Sequence, residues 1–251
     1  MLKIPELNQD DISSFKQDGY LVKRAAFDPS DMAIISKWTD EVLAMPEESG
    51  RHWIFHERSQ KDGSKIVSRI EKIAPFHDGF EKLSNALKAP VAQLLGEPAT
   101  LFKEKVNFKM PGGGGFAPHQ DSQAGWDYYA DFFISALVSI DKATLENGCL
   151  KLVSGHHTSG LSKSWEPMRD EEIEGMDFVP VPTEPGDVVF FDSFAPHGSD
   201  PNMSDQIRRI YYATYNRASA GDHLEQYYAD KHKNFPPDID RDPDKDYVFR
   251  V

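Results

Sequence analysis

The segment PGGGGFAPHQD, residues 111 to 121, runs four glycines into a histidine, one spacer and an aspartate. Imidazole and carboxylate both ligate divalent metals, and along a strand residues i and i+2 face the same way. His119 and Asp121 can therefore address one point in space, with Gln120 turned to the other face. Two ligands from one strand need a third from elsewhere, and His197, in DSFAPHGSDPN directly after the apolar run DVVFFD, is the strongest candidate. Two histidines and one carboxylate on one face of an octahedron leave three positions open, as in non-haem Fe(II) oxygenases, where a co-substrate and O2 take the open sites. A His-x-Asp alone is a weak signal, because it is also a common surface pair. The rest of the chain strengthens it, and on the metal reading the glycines have a use: a flexible loop without side chains can fold tightly over the approach to a metal and let backbone come close to a ligand.

After His197 the chain turns at PNMSD and continues as RRIYYATYNR, a strand expected to lie beside the one that carries the histidine. Alternation puts Arg208 on one face with Ile210, Tyr212 and Thr214. An inward guanidinium needs an anion, since an unpaired buried charge is costly, and a carboxylate is its bidentate mate. Arg209, on the other face, is expected to pair with surface acids. In LFKEKVNFKM the same alternation gathers Lys103, Lys105, Asn107 and Lys109 on one face and Phe102, Glu104, Val106 and Phe108 on the other. If the Asn107 face is interior, Lys103 and Lys105 point at the site and require an anionic group beyond what Arg208 covers; the competing reading leaves the lysines solvated and the phenylalanines in the core. The loop SQAGWDYYAD sets Trp126, Tyr128 and Tyr129 just past the ligand pair, suited to a pocket wall or a cage for an ammonium group. Lys105 is thus a candidate for the co-substrate, and Lys103, Gln120 and Trp126 for the substrate.

The elements that must position these groups fall into two textures. Asn8 to Gly19 opens with capping residues and stops at glycine, YLVKRAAF reads as a short strand, and DPSDMAIISKWTDEVLAM reads as a helix. In that helix Met32, Ile35, Trp38, Val42 and Leu43 form a core stripe, and residues 1–100 are expected to be a mostly helical flank. From about residue 100 short β-type runs alternate with turn signals such as ENG, EPGD and PNMSD, which favours a sandwich, jelly roll or barrel over a βαβ sheet, with a β core over 101–217. The segment 218–251 is polar and rich in proline and aspartate. It reads as a surface extension with a short helix at HLEQYYADKH and no chemistry.

The composition excludes some partners. With 251 residues, 39% hydrophobic, the chain can form one domain around a single core. A net charge of −13 offers no broad basic face for nucleic acid. Its single cysteine, Cys149, cannot form an internal disulfide, which fits a reducing compartment or a periplasm where none is needed. No window approaches the roughly 18 apolar residues that span a bilayer, so a soluble, cytoplasmic protein is expected, without membrane or nucleic-acid partners. The oligomeric state is not legible.

The stretches FKEKVNFKMPGGGGFAPHQDSQAGW, ENGCLKLVSGHH and PGDVVFFDSFAPHGSDPN with the following RR resemble the phytanoyl-CoA dioxygenase family of Fe(II)/2-oxoglutarate oxygenases. The opening DDISSFKQDGYLVKRAAFDPSDM is similar to that family's start, so the resemblance spans residues 8 to 217. It implies a double-stranded β-helix (jelly-roll, cupin-like) core with helices packed on one side, iron held by His119, Asp121 and His197, and the 2-oxoglutarate C5 carboxylate held by Arg208 with help from Asn107. It also implies a hydroxylase that spends O2 and 2-oxoglutarate, gives succinate and CO2, and oxidises an aliphatic C–H. The substrate expected is a small polar or zwitterionic metabolite such as 2-aminoethylphosphonate. An acyl-CoA thioester is the alternative, and a non-catalytic binding protein on the same barrel the rival. The family's usual Gly-Ser-His element is replaced here by Ser154-Gly155-His156-His157, and His156 and His157 are expected to pack or cap rather than bind metal.

Overall fold

The computed structural model describes residue 2 and residues 4–247. Helix α1 (Gln9–Asp18) begins where the Asn8 side chain accepts the Asp11 amide and Asp11 returns the bond, and it ends at Gly19 with φ +80°. Strand β1 (Tyr20–Lys23) follows, then α2 (Pro29–Leu43), capped by Asp28 on the amides of Ser30 and Asp31. A hairpin of β2 (Trp53–Arg58) and β3 (Lys65–Glu71) lies inside the stretch expected to be mostly helical. Its signal is the turn at Asp62-Gly63, where Gly63 has φ +73°, between two runs rich in β-branched and aromatic residues. Helix α3 (Asp78–Leu95) leads into the long strand β4 (Ala99–Lys109) and β5 (Phe116–His119). The chain then gives β6 (Phe133–Ser139), β7 (Leu150–Leu152), the single-turn α4 (Asp170–Ile173), β8 (Val179–Val181), β9 (Val188–Asp192), β10 (His197–Ser199), β11 (Arg208–Arg217) and α5 (Leu224–Asn234).

The strands make two antiparallel sheets, one of seven strands in the order β1-β9-β6-β11-β4-β3-β2 and one of four in the order β5-β10-β7-β8. Between them pack Leu137, Val189, Phe191 and Ile210 from the larger sheet and Leu150 and Leu152 from the smaller. The strands β9-β6-β11-β4 and their four partners form the expected jelly roll, and β1, β3 and β2 widen one sheet. On the outer face of that sheet Val106, Ala136, Val138 and Tyr211 meet Phe80, Leu83, Leu87 and Val91 of α3, all fully buried. At about 1.5–3 kcal/mol per buried large apolar side chain, this contact fixes α3 on the sheet, joined by the Ser84 hydroxyl bonding the Tyr211 hydroxyl at 2.6 Å and the Tyr215 hydroxyl donating to the Ser84 carbonyl at 2.7 Å. Among the described residues no helix is long and apolar enough to cross a membrane.

Two expectations about neighbours change. β11 pairs with β4 and β6, whereas β10 pairs with β5 and β7, so Arg208 and His197 sit on opposing sheets rather than on adjacent strands. The reason is the roll itself, in which successive strands cross to the other sheet. The glycine loop is pinned by protein: the Gly112 amide donates to the Asn202 carbonyl, the Asn202 amide to Gly113, and the Gly114 amide to Glu57 Oε2. Gly112, at φ +79°, adopts the left-handed turn that this packing needs.

Candidate metal centre and its cavity

His119 ends β5 and His197 opens β10, and the two are direct register partners across that strand pair. Their ring centres lie 4.2 Å apart. Asp121 begins a 3-10 turn just past β5, after an extended Gln120, and its Oδ1 lies 3.9 Å from His197 Nε2. One ligand atom from each of the three falls within 4.8 Å of the others, so the residues that the spacing singled out do converge.

The second bonds of these side chains prepare them as ligands. His119 Nδ1 lies 2.7 Å from the Ala117 carbonyl and His197 Nδ1 2.9 Å from the Ala195 carbonyl. A carbonyl can only accept, so each Nδ1 carries the proton and each Nε2 presents its lone pair to the shared point. Burial, together with His197, pushes His119 down to about 3, which keeps its ring neutral. Burial alone would raise the Asp121 carboxyl, but His197 and Lys103 hold it below its ordinary value. Ser135 Oγ donates to Asp121 Oδ2 at 2.9 Å and bonds Thr214 Oγ1 at 2.9 Å, which fixes the carboxylate's orientation from β6 and β11.

The Asn107 face of β4 is interior. Lys103, Lys105 and Asn107 line the space around the three ligands with Tyr212 and Thr214, while Val106 and Phe108 go under the helices. Arg208 lies on the same inner face of β11 as Tyr212 and is 2% exposed. Its guanidinium bonds the Tyr212 hydroxyl, which also bonds Asn107. Arg208 Nε and Nη1 and Asn107 Oδ1 are buried and have no other partner among the described residues. Burial pulls the guanidinium below its ordinary value, opposed by Tyr212. Arg209 faces outward and pairs with Asp141 and Asp40 at 2.7 and 2.6 Å.

A cavity of about 760 Å³ opens on His119 and Asp121 and is lined by Lys103, Lys105, Trp126 and Tyr129 among others. Lys103 Nζ stands 4.0 Å from the Trp126 ring centre, so the buried indole serves as a platform for the lysine. Gln120, expected among the substrate contacts, is spent on the scaffold. Its amide donates to the Gly160 and Phe194 carbonyls at 2.8 Å and accepts the Ser162 amide at 2.7 Å. Alternation had already turned it away from the ligand face. Gln123, not foreseen, holds the Lys163 and Glu166 carbonyls and so brings Trp165 to the cavity mouth. His156 and His157 sit in a separate turn, outside the three-ligand cluster.

Comparison with known proteins fits this geometry. The profile of the phytanoyl-CoA dioxygenase (PhyH) family matches residues 15–210. The chain is 34% identical over 250 residues to a 2-aminoethylphosphonate dioxygenase of an uncultured bacterium (HF130_AEPn_1), covering 95% of this chain and 93% of that one. It is 37% identical over 233 residues to a methylphosphonate hydroxylase of Gimesia maris, covering 91% and 88%. Among solved structures, EctD from S. alaskensis with 2-oxoglutarate and 5-hydroxyectoine superposes with a TM-score of 0.74 at 22% identity, covering 85% of this chain and 77% of that one. The convergent histidines and aspartate, the jelly roll and the span of the match together place this chain in the phytanoyl-CoA dioxygenase family, as an enzyme of the oxygenase class.

Proposed function

We propose that the chain is an Fe(II)- and 2-oxoglutarate-dependent hydroxylase of a small phosphonate-bearing metabolite. The observation that carries this reading is the pairing of a 2-His-1-carboxylate face with a buried guanidinium whose Nε and Nη1 lack an acceptor among the described residues. The donor set suits ferrous iron: two neutral imidazoles and one carboxylate, each oriented by a second bond. Arg208 suits a carboxylate, because two unpaired N–H groups on a buried cation are costly until an anion fills them.

His119, Asp121 and His197 would hold the iron, Arg208 the far carboxylate of 2-oxoglutarate, and Asn107 and the Tyr212 hydroxyl would orient it. When bound, iron and 2-oxoglutarate supply the oxidising power, turning O2 and the keto acid into succinate, CO2 and a hydroxylated C–H. What this chain adds is position and exclusion of water. Phe191 packs on the His197 ring at 4.9 Å between centres, and Leu150 closes the same space. Lys103 and Lys105 make no hydrogen bond among the described residues and face the cavity, which favours an anionic substrate.

The two curated relatives named for 2-aminoethylphosphonate and methylphosphonate support a phosphonate as that anion. A volume of about 760 Å³ suits a small metabolite, and a net charge of −13 disfavours a long acyl-CoA, whose phosphates need a basic track. The test is a panel of 2-aminoethylphosphonate, methylphosphonate, amino acids, betaines and acyl-CoAs scored by coupled succinate formation. Stimulation by a phosphonate is expected. Stimulation only by acyl-CoAs would overturn the substrate class, and no succinate with any member would overturn the hydroxylase.

A further inference from the structure

Part of the cavity wall comes from a segment that the family match does not include. The match ends at residue 210, and α5 lies beyond it. That segment reads in sequence as a surface extension, yet Tyr227 and Tyr228 are buried against β4 and Lys231 lines the cavity that opens on His119 and Asp121. Lys231 Nζ donates to Glu71 Oε2 at 2.5 Å, and the other oxygen of Glu71 takes Arg69 Nε at 2.7 Å. Lys105 stands directly across the β3–β4 pair from Glu71. Lys103 and Lys231 approach one aromatic ring, at 5.8 and 5.7 Å from the centre of Tyr227. Four basic side chains, Lys103, Lys105, Lys231 and Arg69, therefore gather around Glu71, with Asp121 a second carboxylate acting on Lys103 and Lys105. The crowding shows in their proton affinities: burial, joined by the neighbouring cations, brings Lys105 down to about 7 and Lys231 to about 8.

We propose that Lys231, with Lys103 and Lys105, forms a three-ammonium seat for a doubly charged phosphonate or phosphate group on the substrate, so that the C-terminal helix selects the substrate together with the barrel. The inference rests on reading this cavity as the substrate's. A tetrahedral dianion offers three acceptor oxygens, one for each amine, and two charges that favour the amines' protonated forms; a carboxylate offers two oxygens and one charge. Glu71 has a definite part in this. It holds Lys231 at the wall while no anion is present, and it competes with the anion for that ammonium.

The experiment titrates the full chain, loaded with zinc and 2-oxoglutarate so that it cannot turn over, with methylphosphonate, inorganic phosphate and acetate. Binding is read by 31P line broadening and by the fluorescence of Trp126 beneath Lys103. Lys231→Met is expected to weaken methylphosphonate by about tenfold or more while Lys231→Arg stays within about threefold, and acetate should bind far more weakly than either tetrahedral anion. Glu71→Gln, which frees Lys231, should tighten methylphosphonate several-fold, an effect that a purely structural ion pair would not give. Lys231→Gln in the Glu71→Gln background should abolish that gain, and it keeps the comparison intact if Lys231→Met does not fold. Inorganic phosphate binding as tightly as methylphosphonate identifies the group alone as what is recognised, and tighter methylphosphonate adds the carbon side; both support the seat. Equal affinity of Lys231→Met and the parent, or acetate binding as tightly as methylphosphonate, would overturn it. Succinate release by the iron-loaded protein with each member of the substrate panel is measured in parallel: its absence with every member sinks the hydroxylase reading, and its presence alongside lysine-independent anion binding sinks only the seat.

Discussion

Replacing Arg208 by methionine separates the co-substrate site from the metal site. The guanidinium is 2% exposed, and its Nε and Nη1 lack an acceptor among the described residues. Truncating one partner of a buried, hydrogen-bonded charge pair costs about 2–5 kcal/mol, or about 30- to 4,000-fold in 2-oxoglutarate affinity at about 1.4 kcal/mol per decade. Iron affinity should stay near that of the parent, because none of the three candidate ligands touches the substituted side chain. Two assays read the difference. Anaerobic titration of the Fe(II) protein with 2-oxoglutarate, followed by the visible metal-to-ligand charge-transfer band, gives the affinity directly. Thermal shift gives it by linkage: at a hundred times its Kd, 2-oxoglutarate stabilises the parent by about 2.7 kcal/mol, about 5–10 °C for a domain of this size. At the same concentration Arg208→Met should gain at most about 3 °C, since its occupancy term falls to about 1 kcal/mol or less. An affinity within about fivefold of the parent, or loss of iron from Arg208→Met, would refute the assigned role.

The remaining predictions concern the metal, its support and one buried acid. His119→Ala should lose iron and 2-oxoglutarate turnover together, checked by metal content and succinate release. Ser135→Ala removes the hydroxyl that orients Asp121, so metal affinity in a chelator competition should fall about 10- to 100-fold with the fold intact. Glu104, between β4 and α3, is raised to about 7 chiefly by burial, while its Oε1 accepts the amides of Ile73 and Ala74. A carboxyl raised in the folded state contributes stability fully present below about 4.5 and lost as pH rises through about 7, a swing of at most about 3 kcal/mol. Glu104→Gln keeps the accepting oxygen without the charge. Its melting temperature should exceed the parent's at pH 8 by several degrees and converge with it by pH 5; a pH-independent difference would show that Glu104 does not titrate in this range.

What the sequence made legible was the local chemistry. His119 and Asp121 are read from an i, i+2 spacing, His197 from its place after an apolar strand, and Arg208 from alternation within β11; none of these needs the tertiary path. The lysine face of β4 was undecided, because both faces of LFKEKVNFKM carry plausible core residues. It is settled by α3, which covers Val106 and Phe108 and leaves Lys103 and Lys105 to the interior. The sheet partner of β11 was misjudged because turn length says little about which sheet the next strand joins. Lys231 was invisible for a related reason. Nothing in HLEQYYADKH marks it apart from Lys233, which stays at the surface on Asp230; only the docking of α5 brings one of the two against Glu71.

The register of β5 against β10 has a consequence for how the protein matures. His119 and His197 become neighbours only through that pairing, and β6, β7, β8 and β9 all lie between them in the chain. Closing so long a loop costs entropy before the contact repays it, so the three-residue set is complete only once β5 and β10 have paired. An incompletely folded copy then offers iron only the His119/Asp121 pair.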